Sequence, residues 1–110
     1  ILGYLLDMGI DALHPIEPTA GMDIVKLHRD YKDRLSVAGG VDVVNLLPLG
    51  SEEDVEKAVV SVIKEAGSGG GLILGTTNSI HSSVPDLDKF ARNVLKYVET
   101  AHRFGVYPIR

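Results

Sequence analysis

Three short apolar runs, residues 10–16, 35–38 and 72–76, alternate with stretches in which apolar side chains return at helical spacing. Strands that alternate with helices require crossover connections and therefore a parallel sheet. The expected order is α-β-α-β-α-β-α, an α/β fold of parallel βαβ units. Leu72, Ile73 and Leu74 are apolar at consecutive positions, a pattern that predicts burial on both faces of the third strand.

Local signals set the boundaries. Ile24, Leu27, His28 and Tyr31 share one face of a helix expected over 22–32. Gly39 and Gly40 are expected to end the second strand, with room for one helical turn in 43–49. Ser51 and Asp54 stand at capping-box spacing before a stripe of Val55, Ala58, Val59, Val62, Ile63 and Ala66. The glycines at 67 and 69–71 read as a helix-to-strand turn. A last helix over 86–104 is expected to bury Leu87, Phe90, Ala91, Val94, Leu95 and Val98 on one face.

A closed (β/α)8 barrel takes eight strands and about 250 residues. With 110 residues and three strands, the chain is expected to be either a small α/β layer or a carboxyl-terminal slice of such a barrel. Residues 1–8, closed by Gly9, read as the last turns of a helix with no cap before it, which favours the slice. The whole of 1–110 is then one fragment of a single domain.

Composition narrows the function classes. Eleven basic against 15 acidic side chains give a formal charge of −4, and phosphate-backbone binding usually needs a basic face, so no nucleic-acid partner is expected. The absence of cysteine removes disulfides, thiolate nucleophiles and cysteine-ligated metals. No apolar run reaches the roughly 18 to 20 residues needed to cross a bilayer, and no charged leader precedes one. No membrane partner and a cytoplasmic location are expected.

In parallel α/β folds the ligand site lies in the loops after the strand C-termini. Here those loops carry Glu17, then Gly40 and Asp42, then Asn78 and His81. Glu17 is either an exposed loop carboxylate or a proton-transfer group at the mouth of the site. Asp42 either caps the turn that follows or touches substrate. Gly40, after Gly39, permits close approach of a ligand or of neighbouring structure. Asn78 and His81 sit among small hydroxyl residues, in a loop suited to an anion or to side-chain turns. His14 reads as a packed ring in the first strand, and His28 and His102 as helix residues. No histidine pair has metal-ligand spacing with a third ligand, so no metal is expected. The glycine run lacks the lysine and the strand-before-loop order of a phosphate loop.

Four segments carry a family resemblance. They are His14-Pro15-Ile16-Glu17-Pro18-Thr19-Ala20-Gly21-Met22-Asp23, Gly39-Gly40-Val41-Asp42, Gly69-Gly70-Gly71-Leu72-Ile73-Leu74 with Asn78-Ser79-Ile80-His81, and Gly105-Val106-Tyr107-Pro108. In order and spacing they resemble the carboxyl-terminal part of the uroporphyrinogen decarboxylase superfamily, over nearly the whole chain. The resemblance implies a (β/α)8 barrel in which these strands are about six to eight. It also implies removal of acetate carboxyl groups from a tetrapyrrole, without metal or organic cofactor, with Glu17, Gly40, Asp42, Asn78 and His81 as substrate-binding candidates. The family's other branch implies methyl transfer from a corrinoid, with a zinc-bound thiol. The decarboxylases' late histidine and the methyltransferases' cysteine ligand both fall on Asn78, which neither titrates like imidazole nor ligates as thiolate, unless His81 substitutes. The decarboxylases' arginine-rich signature lies in a region this chain does not contain, so activity of the fragment alone is not expected. From a different class, the chain is alternatively a non-catalytic interaction domain. Exposed sheet edges imply a homo-oligomer.

Overall fold

In the computed structural model, which describes residues 1–79 and 84–110, every long helix begins on a side-chain acceptor. Asp23 Oδ1 accepts from the Val25 and Lys26 amides at 3.0 and 3.2 Å and opens α2 (Ile24–Tyr31). Ser51 and Asp54 close a reciprocal capping box, each bond 3.0 Å, at the start of α4 (Glu52–Ala66). Asp86 accepts from the Lys89 amide at 3.0 Å ahead of α5 (Leu87–Phe104). These caps satisfy amides that have no partner inside the helix. The remaining helices are short, α1 (Leu2–Asp7) and α3 (Leu46–Leu49).

Three parallel strands, β1 (Ala12–Ile16), β2 (Ser36–Val41) and β3 (Leu72–Thr76), pair in the order β1-β2-β3. The fold is therefore α/β with a parallel sheet, as the alternation of runs predicts. The second strand differs from expectation, because it does not stop at the glycines. Gly39 and Gly40 lie inside β2, opposite Leu74 and Gly75 of β3, with φ of +129° and +99°. A Cβ on Gly40 would stand 2.9 Å from Val62 Cγ1 and 3.4 Å from Ile24 Cδ1, so the bare backbone lets α2 and α4 settle onto the strand.

The helices cover one face. Consecutive parallel strands joined by right-handed crossovers place their helices on the same side, and the molecule measures 43 × 32 × 16 Å, with a short axis that accommodates two layers. Between the layers lie two apolar clusters. One joins Val41, Leu47, Val55, Val59, Ile63 and Phe90; the other joins Leu6, Ile16, Ile24, Leu35 and Val37. Full burial of each such side chain contributes about 1.5–3 kcal/mol.

Two expectations about burial need correction. Ile73 is 57% exposed, so β3 is not buried on both faces: its apolar run faces helices on one side and open space on the other. The predicted stripe on α5 also splits. Phe90 and Val94 turn inward with Tyr97, Ala101 and Phe104, whereas Leu87 (64%), Leu95 (63%), Val98 and Ala91 are exposed. The cause is Asn93, which is buried and donates from Nδ2 to the Leu47 and Gly50 carbonyls, both at 2.8 Å. Satisfying those carbonyls fixes the rotation of α5 about its axis. Thr100 is also buried and donates to the Lys96 carbonyl at 2.7 Å, and Lys96 reaches Glu56 on α4 at 2.7 Å. No described helix is long and apolar enough to cross a membrane.

Gly40→Ala is expected to lower stability by about 2–4 kcal/mol in denaturant unfolding, from backbone strain plus the clash with Val62. Gly3→Ala in α1, where nothing stands within 4 Å, is expected to be neutral or stabilising by up to about 1 kcal/mol.

The hydrogen bonds from the Ser51 backbone and side chain hold the Asp54 carboxyl below its ordinary value of 3.8. Its contribution is therefore complete above that value and is lost as pH falls through the lower folded pKa. The stability difference between the native chain and Asp54→Asn is expected to be constant near neutrality and to shrink below pH 3.8, read by urea unfolding across that range.

Candidate functional site

The three strand C-termini and the three capped helix starts share one edge of the sheet, and the polar loop residues gather there. β2 leads into Asp42, whose Oδ1 accepts from the Val44 and Asn45 amides at 2.8 and 3.0 Å. Its Oδ2 accepts from Asn45 Nδ2 at 3.4 Å. Asp42 thus organises the turn into α3 through one oxygen and keeps lone pairs of the other free. Thr77 follows β3 and is fully buried. Its amide donates to the Val41 carbonyl at 2.9 Å and its Oγ1 accepts from the Val43 amide at 3.3 Å. These two bonds clamp the residues on either side of Asp42 to Thr77, the residue before Asn78.

Asn78 is exposed. Its Oδ1 accepts from the Ser79 amide at 2.7 Å and its carbonyl accepts from Thr76 Oγ1 at 2.8 Å; among the described residues its NH2 has no partner. It lines a cavity of about 440 Å³ whose other walls include Val43, Val44, Leu49 and Phe90, an apolar hollow with one amide at its rim. His81, the remaining candidate of this loop, lies outside the described residues.

Glu17 stands apart from that pair. Ile16 is level with Gly39, so β1 ends two residues short of β2, about 7 Å at the parallel rise. The Glu17 carboxylate accepts from the Thr19 amide and hydroxyl at 3.2 and 3.0 Å and caps the 3-10 turn Pro18–Ala20. Gly40 has its demand for a missing side chain on the helix side, against Val62 and Ile24.

The residue that sequence reasoning missed is His14. It is exposed, not packed, and its Nε2 lies 3.4 Å from the Thr76 carbonyl on β3. β2 runs between β1 and β3, so the imidazole reaches across the sheet on the face that no helix covers, over the glycine pair. Alternation alone does not place it. His14 and Ile16 share strand parity, yet Ile16 is buried, because the β1–β2 register shifts between Leu13 and Ile16. A histidine beside two side-chain-free positions on the neighbouring strand is the one sequence signal for such a reach. His28, by contrast, is buried, and its Nε2–H donates to the Gly70 carbonyl at 2.8 Å, which ties the glycine turn to α2.

The edge therefore offers two capping carboxylates, the Asn78 amide and, on the adjoining sheet face, an imidazole. Carboxylates stabilise developing positive charge, and an imidazole donates or accepts a hydrogen bond through its ring nitrogens. No protein-family model matches the chain, and no curated protein matches it.

Thr77→Val keeps the shape and removes the acceptor for the Val43 amide. The expected cost is about 1–2 kcal/mol in unfolding, together with faster hydrogen exchange at Val43 than at the core of β2.

Proposed function

We propose that this chain supplies about strands six to eight of a (β/α)8 barrel of the uroporphyrinogen decarboxylase kind, acting in the cytoplasm on a tetrapyrrole held at the C-terminal edge of the sheet. The observation that carries this reading is the winding: three parallel strands in consecutive order, helices on one face only, and polar loops at one edge. A doubly wound sheet reverses its strand order and changes face at its switch point, and no such reversal falls within the three described strands. Ile73 and His14 then belong to the inner wall, and the open edges of β1 and β3 are where further strands pair, either from the same protein or from another copy.

The reaction class follows from the charges present. Loss of a carboxyl group beside a pyrrole requires protonation of the ring and stabilisation of the cation so formed. Asp42 offers negative charge in the loop after β2, and Glu17 offers it at the end of β1. His14 is placed to exchange the proton. Asn78 in the loop after β3 offers hydrogen bonds in place of an imidazole or a thiolate. That substitution departs from both branches alike, so corrinoid-linked methyl transfer stands as the alternative.

Visible-absorbance titrations of the chain with uroporphyrin and with cobalamin, run in parallel, test the reading. A porphyrin band shift that weakens in Asp42→Asn and in His14→Gln is the expected result. A response to cobalamin alone moves the assignment to corrinoid-linked methyl transfer, and no response to either leaves an interaction domain as the better description.

A further inference from the structure

At the end of the sheet opposite Asp42, the C-terminal ends of α4 and α5 and the tail after α5 enclose a groove of about 510 Å³. Its wall carries Lys64, Arg103 and Arg110 with Phe104, Tyr107 and Pro108, and no acidic side chain among its lining. In a chain with more acidic than basic residues this is an uneven distribution. Among the described residues none of the three cations has a carboxylate oxygen within 4.0 Å, whereas Lys57 and Lys96 are paired with Glu53 and Glu56 at 2.7 Å. Glu56 is close enough to feel the charge of Arg103, but it is bound to Lys96.

The walls are also held in place. The Arg103 guanidinium stands 5.0 Å from the centre of the Phe104 ring. Tyr107 donates its hydroxyl to the Gly67 carbonyl at 3.2 Å and Ile109 packs on the core, which fixes the tail against the end of α4. Lys64 and Arg103 stand in the last turns of their helices, where they complement the dipoles. That role explains two of the cations, and it explains neither Arg110 nor the aromatic wall.

We propose that this groove is a binding site for a phosphate monoester carried on a planar aromatic or heteroaromatic ring. The guanidinium and ammonium groups take the phosphate oxygens, and the exposed ring of Tyr107, beside Pro108 and the edge of Phe104, takes the aromatic ring. The site lies at the opposite end of the molecule from the loops assigned to a tetrapyrrole, so the two assignments stand or fall separately.

Titration with phenyl phosphate, followed through backbone amide shifts, is expected to move residues 64 and 103–110 and to leave 42–45 and 78 unmoved. Inorganic phosphate is expected to perturb the same residues with lower affinity, and added sodium chloride to weaken both. Lys64→Gln and Arg103→Gln are each expected to raise the Kd about tenfold. Arg103→Lys, which keeps the charge and loses the fork, should give an intermediate loss. Lys57→Gln, on an already paired cation, should give none. Amide spectra of the variants verify that the fold is kept. Shifts scattered over the surface, or a Kd unchanged in Lys64→Gln and Arg103→Gln whatever their melting temperatures, would overturn the proposal.

Discussion

The close approach of α2 and α4 to the central strand is the constraint on which the rest of this fold depends. β2 is the one described strand hydrogen-bonded on both sides, and both helices pack over it. Val37 and Val41 deliver its apolar side chains to the two core clusters, one on each side of the glycine pair. Between them Gly40 leaves the space that Val62 and Ile24 occupy. A side chain there would lift the helix layer from the sheet and separate both clusters at once. The glycines that would ordinarily weaken a strand are thus what permits the layers to meet.

Buried polar groups then set the finer geometry, and they do so at the edge that carries the candidate loops. Asn93 binds two carbonyls of the α3 segment, and Thr77 binds the amide and carbonyl that flank Asp42. An unmet partner in such a setting costs about 1–3 kcal/mol, which is comparable with burying a valine. The loops that carry Asp42 and Asn78 are therefore fixed by hydrogen bonds to buried residues, while their own side chains remain accessible. The site candidates need no large apolar anchors because Thr77 and Asn93 hold the frame beneath them.

Much of the architecture was legible in the sequence wherever one local rule governed. The capping box at Ser51 and Asp54 and the stripe along α4 follow from spacing alone, whereas 43–49 offers room for the turn of α3 but no pattern that places it. Legibility failed where tertiary contacts overrode periodicity. The two glycines read as a strand end because their packing against Val62 is invisible locally. The α5 stripe misplaced Leu87 and Leu95 because a buried asparagine, not hydrophobicity, sets the rotation of that helix. His14 was misjudged because a register shift hides its face. At the candidate site, Asp42 and Asn78 were found through their position after strands; that Glu17 stands two residues lower depends on register, which no composition or spacing encodes.

The same winding that collects the loops also sorts the charges. In consecutive parallel βα units all long helices point the same way, so their starts lie beside the strand C-termini and their ends lie beside the strand N-termini. Helix starts favour acidic caps and helix ends favour bases. Asp23, Glu52, Glu53, Asp54, Asp86 and Asp88 accordingly stand towards the edge that holds Asp42, and Lys64, Arg103 and His102 stand at the other. One end of the molecule is suited to positive charge that forms during a reaction, and the opposite end to an anion that arrives bound to a ring. Capping chemistry selected for helix stability is enough to produce that polarity. What it does not produce is the exposed amide of Asn78, the reach of His14 across the sheet, or the aromatic wall of Tyr107 and Phe104. Those are the features that separate two candidate sites from a by-product of helix direction.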